Sequence, residues 1–101
     1  MILIFWTAAT EEEAERLVKE LLALRYVACA SIFPQVRSFY LWEGSLQKSR
    51  ESKVLLKTKE EYFTKVADFL QKNSHYDVPE VVALQPERVS PAYQKWLKES
   101  L

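Results

Sequence analysis

A single glycine serves all 101 residues, and its position limits what the chain can fold into. Gly44 follows an aromatic-rich run, Phe39-Tyr40-Leu41-Trp42, and precedes a second extended run that becomes apolar at Val54-Leu55-Leu56. Glycine is most useful where the backbone must take φ > 0, and the reversal between two strands is such a place. The stretch from Val36 to Lys57 therefore predicts a long β-hairpin bent at Glu43-Gly44-Ser45. Lys48, Arg50, Glu51 and Lys53 on the returning arm direct its distal part towards solvent or a partner, while its base joins a core. The rest of the chain falls on either side of this hairpin.

Before it, Ile2 to Thr7 is almost continuously apolar and too short for a helix, which predicts a central strand. Thr10 and Glu13 have capping-box spacing, and Ala14, Leu17, Val18, Leu21 and Leu22 form one apolar stripe, so a helix runs to about Leu24-Arg25. Glu15 and Lys19 support it as an i, i+4 pair. Tyr26 to Phe33 reads as a strand, which Pro34 interrupts with a bulge, a kink or an edge position. After the hairpin, Thr58 and Glu61 repeat the capping-box spacing. They predict a second helix whose stripe is Tyr62, Val66, Phe69 and Leu70, ending at Asn73-Ser74. His75 to Pro79 is a loop, Glu80 to Leu84 a strand, and Ser90-Pro91 starts a third helix with a good N-cap and Pro at the first helical position. The order β-α-β-β-α-β plus a C-terminal helix predicts an α+β, ferredoxin-like domain over residues 1–101. Its four-stranded antiparallel sheet carries the helices on one face.

The charges exclude some partners. Fourteen basic and fourteen acidic side chains give zero net charge, so nothing draws the chain globally to nucleic acid or an anionic membrane. No apolar run approaches the roughly 20 residues that span a bilayer. The start, Met1-Ile2-Leu3-Ile4-Phe5-Trp6, lacks the basic region and cleavage site of a signal peptide. One cysteine forms no internal disulfide, which fits a reducing compartment, and the expected location is the cytoplasm.

Catalytic chemistry finds little support. A metal site needs several converging ligands, and here there is one His, His75, and one Cys, Cys29. Cys29, between Ala28 and Ala30, reads as a structural thiol, and His75 as a surface or hydrogen-bonding group. No nucleophile elbow or glycine-rich phosphate loop exists, and the glutamates at 11–13 and 60–61 are explained by helix starts. What remains is the bare face of the sheet. If Tyr40 and Trp42 lie on it they form an apolar patch best covered by association; the alternative is that they turn back onto their own helices.

Several stretches together resemble the CutA family, named for divalent-cation tolerance, over nearly the whole chain. They are Val27-Ala28-Cys29-Ala30, Phe39-Tyr40-Leu41-Trp42-Glu43-Gly44, Glu51, Leu56-Lys57-Thr58, Tyr76-Asp77-Val78-Pro79-Glu80 and Tyr93-Gln94-Lys95-Trp96-Leu97. The resemblance implies a non-enzymatic homotrimer similar to PII-type signalling proteins, in which Tyr40, Trp42, Glu43 and Gly44 carry the interface. It also implies a role with divalent cations, copper in particular. Members credited with copper binding have a Cys in the first strand and His just before the Y-x-x-P element. Here those positions are Trp6 and Asn73-Ser74-His75, leaving His75 as the only metal candidate, and Ser31 stands where Asn is common. A second reading is a small-ligand sensor with a cleft between subunits, for which Lys57, Tyr76, Glu51 and Trp42 are the candidates. Otherwise Glu51 and Lys57 pair across the interface while the aromatics pack.

Overall fold

Alternation along the first strand settles which face of the sheet becomes the core. In the computed structural model, which describes residues 1–101, β1 (Ile2–Ala8) buries Ile2, Ile4, Trp6 and Ala8 on one side. It lies between β3 (Ser45–Thr58) and β4 (Val81–Leu84), with β2 (Cys29–Trp42) beyond β3. All neighbours are antiparallel, in the order β2-β3-β1-β4. That is the split βαβ arrangement expected from the element order. Two helices, α1 (Glu11–Ala23) and α2 (Phe63–Asn73), cover the buried face, and α3 (Pro91–Glu99) follows β4.

The first helix begins and ends by local chemistry. Thr10 is extended, and its hydroxyl accepts the Glu13 backbone N–H at 3.1 Å, as its spacing predicted. Ala14, Leu17, Val18 and Leu21 are buried, whereas Leu22, one step off the stripe, is 39% exposed. At the C-terminus Tyr26 N–H reaches the Leu21 carbonyl and Arg25 N–H the Leu22 carbonyl, both at 3.0 Å. Arg25 sits at φ 59°, so this is a Schellman ending with arginine in the position glycine normally takes. The motif uses up Tyr26, and β2 starts at Cys29 rather than at Tyr26 as the sequence suggested.

Thr58 is the clearest correction. It does not cap α2; it is the last residue of β3, paired with Ile2 and fully buried. Its hydroxyl donates to the Tyr26 carbonyl at 2.7 Å, so the end of β3 is tied to the α1–β2 turn. A 3-10 turn, Glu60–Tyr62, intervenes, and α2 begins at Phe63 with no side-chain cap. Its stripe is otherwise as expected, with Val66 and Leu70 buried and Phe63 and Phe69 packed against the core.

The hairpin turns in two residues. Glu43 (φ 50°) and Gly44 (φ 79°) are both left-handed, and Trp42 pairs with Ser45, the pattern of a type I′ turn. A Cβ on Gly44 would meet no atom within 4 Å, so the backbone angle rather than space requires glycine. Pro34 does mark a bulge: Pro34 and Gln35 oppose the single residue Ser52, and Gln35 has φ 56°. β2 is also an edge strand, where a missing N–H is tolerated.

One further expectation fails. Lys57 lies between the buried Leu56 and Thr58, so it points to the opposite face, beside Leu3 and Cys29. Tyr93 of α3 accepts a hydrogen bond from Lys57 there, so α3 docks across one end of the face that α1 and α2 leave bare. Ser90 caps α3 as predicted, with Pro91 at the first helical position.

Thr58→Val should lower the unfolding free energy by about 1–2 kcal/mol, by depriving the Tyr26 carbonyl of this donor. Glu61→Ala should stay within about 0.5 kcal/mol, as for most surface changes. Urea unfolding compares the two; equal losses would reinstate a capping box at Thr58.

Candidate functional site

The bare face of the sheet meets the loop between α2 and β4 beside the hairpin. Ser52 and Val54 point into the core, so Glu51 and Lys53 project from the other side of β3. Three carboxylates hold the loop against them. Glu13 of α1 accepts Ala9 N–H at 2.9 Å with one oxygen and His75 N–H at 2.5 Å with the other. Glu51 accepts the Tyr76 hydroxyl at 2.5 Å. Glu80 receives Lys53 Nζ at 2.7 Å and the Thr7 hydroxyl at 2.8 Å on the same oxygen.

These contacts set protonation states. Burial first, and then the hydrogen bond and charge of Glu51, push the Tyr76 phenol well above its ordinary range; Tyr40 and Glu13 add to the effect. Tyr76 therefore remains a hydrogen-bond donor. Partial burial would raise the Glu80 carboxyl. The hydrogen bonds from Lys53 and Thr7, together with the Lys53 charge, outweigh it and hold Glu80 below the usual carboxylate range.

Between hairpin and loop lies an open cleft of about 800 Å³. Of the predicted ligand residues, Glu51, Tyr76 and Trp42 line it. Lys57 does not. It sits six residues further along β3, donating to the Tyr93 hydroxyl at 3.0 Å and lying 5.1 Å from that ring's centroid. The Tyr93 hydrogen bond raises its pKa despite some desolvation. Cys29 Sγ is 3.7 Å from the same hydroxyl and is half-buried. Sequence reasoning missed Lys53 and Glu80 as partners, because their pairing depends on the register that sets β4 beside β1.

The expected interface residues do face outwards. Tyr40 is 46% and Trp42 64% exposed, so neither turns back onto the helices. Glu43 and Gly44 are exposed in the turn. The metal donors fare differently. No three His, Cys, Asp or Glu side chains come together. His75 is engaged through its backbone, with its ring tilted 5.8 Å from that of Tyr76. Trp6, where the copper-binding pattern has Cys, is wholly inside the core. The donors of one chain thus do not fit a copper site.

Comparison with known proteins gives a consistent result. Residues 2–100 match the family described as CutA1 divalent ion tolerance protein. A divalent-cation tolerance protein CutA from Pyrococcus horikoshii is 35% identical over 99 residues, covering 98% of this chain and 96% of its own. One from Archaeoglobus fulgidus is 36% identical, covering 97% and 95%. The crystal structure of CutA1 from Oryza sativa superposes with a TM-score of 0.95 at 33% identity, covering 98% of this chain and 91% of that one.

Because Glu80 has a depressed folded-state pKa, its contribution is present above the ordinary carboxylate pKa and lost as pH falls through the folded value. Glu80→Gln should therefore destabilise the protein at pH 7 and much less near pH 3. Urea titrations at the two pH values check this; a loss independent of pH would show that the carboxylate charge contributes nothing.

Proposed function

This chain belongs to the CutA1 family of divalent ion tolerance proteins, and we propose that it acts as a non-enzymatic assembly of three identical chains. The observation that carries the proposal is the hairpin. Beyond Ser52 it has no third strand, and at its tip Leu41 and Leu46 are 72% and 71% exposed on one face together with Phe39, while Trp42 is exposed on the other. Isolated two-stranded ribbons are marginal in water, and a contiguous exposed apolar patch marks an association surface. A second and third copy of the same chain supply the cover, in closed symmetry.

The family name ties such proteins to divalent cations. In this reading copper and similar ions are met where neighbouring chains bring their separate donors together, and His75, in an exposed loop position, is this chain's candidate ligand. The cytoplasmic setting remains part of the proposal; a free thiol and no disulfide are compatible with it.

Light scattering should give the mass of three 11.9 kDa chains. Leu41→Glu combined with Leu46→Glu should give one chain with an unchanged circular dichroism spectrum; a variant that stays trimeric removes the tip from the interface. Calorimetric titration with Cu²⁺ should lose heat in His75→Ala, and identical isotherms would dismiss His75 as a ligand.

A further inference from the structure

The last helix is attached to the rest of the fold by very little. Of its nine residues, Leu97 is the one buried side chain, and it lies outside the core cluster that α1 and α2 cover. Trp96 stacks on Tyr93, ring centroids 5.5 Å apart, yet is 45% exposed. The Tyr93 hydroxyl is the helix's polar link to the sheet, accepting from Lys57 and standing 3.7 Å from Cys29 Sγ. The contacts of Ser90 and Ser100, and of Lys95 with Glu99, are internal to α3 and its caps. The connector from β4, residues 85–90, makes one side-chain hydrogen bond to the body, from Gln85 to Glu60 at the surface.

An element with so few buried apolar contacts belongs to the part of a structure that opens at low cost. A helix this short is marginal in water without packing, so an undocked α3 unwinds instead of holding its shape. The polar groups that opening uncovers, the Lys57 ammonium and the Tyr93 hydroxyl, exchange each other for water, which leaves neither unsatisfied. The sheet beneath is held without α3: β1 lies between β3 and β4, and Ile4, Trp6, Val54 and Leu56 are buried under α1 and α2. What the docked helix does control is access to Cys29. This residue pairs across the strands with Lys57, on the same face, and the Tyr93 hydroxyl lies against its sulfur.

We propose that α3 is a strap that lifts from the sheet while the rest of the fold stays closed, and that its lifting opens Cys29 to thiol–disulfide exchange with small disulfides. The Cys29 thiol gives its proton to water, and the thiolate attacks one sulfur of the disulfide. The S–S bond breaks, the chain keeps a mixed disulfide, and the other half leaves as a thiolate that takes up a proton. Cys29 and Lys57 lie at the end of the β2-β3 pair away from the hairpin tip, so the strap is no part of the ribbon that the assembly covers.

The test pairs two measurements on the purified assembly: reaction of Cys29 with excess 4,4′-dithiodipyridine, a neutral reagent, and hydrogen exchange of the backbone amides. One thiopyridone released per chain is expected, with the α3 amides exchanging faster than those of β1. Leu97→Ala, which removes the buried anchor, should raise both the thiol reaction and α3 exchange at least about tenfold while β1 is unchanged. Tyr93→Phe, which keeps the ring, should raise both by a smaller factor. A thiol reaction unchanged in the two variants would show that Cys29 reacts through the docked form, and would overturn the proposal. So would α3 amides that exchange in step with those of β1, or loss of β1 protection in Leu97→Ala. Light scattering on the same samples separates the two readings. A trimer without these rate changes sinks this inference alone, whereas a monomer that shows them sinks only the assembly.

Discussion

The length of β3 is the constraint from which the rest follows. Its fourteen residues are paired with β2 along nearly all their length, but with β1 only from Ser52 to Thr58. The inner half is therefore the middle of a sheet, with Val54 and Leu56 buried beside Trp6 and Ile4. The outer half is a two-stranded ribbon with no third strand beside it. The bulge at Pro34-Gln35 falls opposite Ser52, the last residue of β3 that β1 reaches. A bulge adds twist and bends its strand, so the chain changes direction where it leaves the sheet. The resulting molecule measures 46 × 27 × 22 Å, elongated for a domain of this size.

The second organising element is the set of carboxylates around the loop after α2. Glu13 serves the fold twice: its backbone N–H satisfies the Thr10 cap, while its side chain joins the end of β1 to the start of the loop. Glu51 and Glu80 then fix the loop's next turn and its exit into β4. The contacts of Glu13 with His75, Glu51 with Tyr76 and Glu80 with Lys53 cross between elements distant in sequence, and charge-assisted hydrogen bonds of this kind are the stronger ones. The loop's position, and with it the shape of the cleft, is thus set by the same groups that give the cleft its charge.

Much of this was readable from the residues. Gly44 located the turn, Pro34 the bulge, and Thr10 the start of α1, because each acts through local backbone chemistry. Thr58 shows where that method fails. The same T-x-x-E spacing occurs at both threonines, but register places Thr58 at the end of a buried strand, where the Tyr26 carbonyl takes its hydroxyl. The end of α1 near Leu24-Arg25 was legible as well, although Arg25 takes its left-handed position without glycine's signature. Lys57 was grouped with Glu51 by motif, yet six residues of strand separate them, and the aromatic partner it finds comes from α3. Tertiary pairing decided the places of Thr58 and Lys57, and no local pattern carries it.

The account stands or falls on whether the ribbon is covered. Hydrogen exchange of the backbone amides from Ser38 to Ser49, measured at high and at low protein concentration, addresses that directly. An assembled ribbon predicts slow exchange at high concentration that becomes fast on dilution, while amides of β1 stay protected throughout. Rapid exchange of the ribbon at every concentration would contradict it.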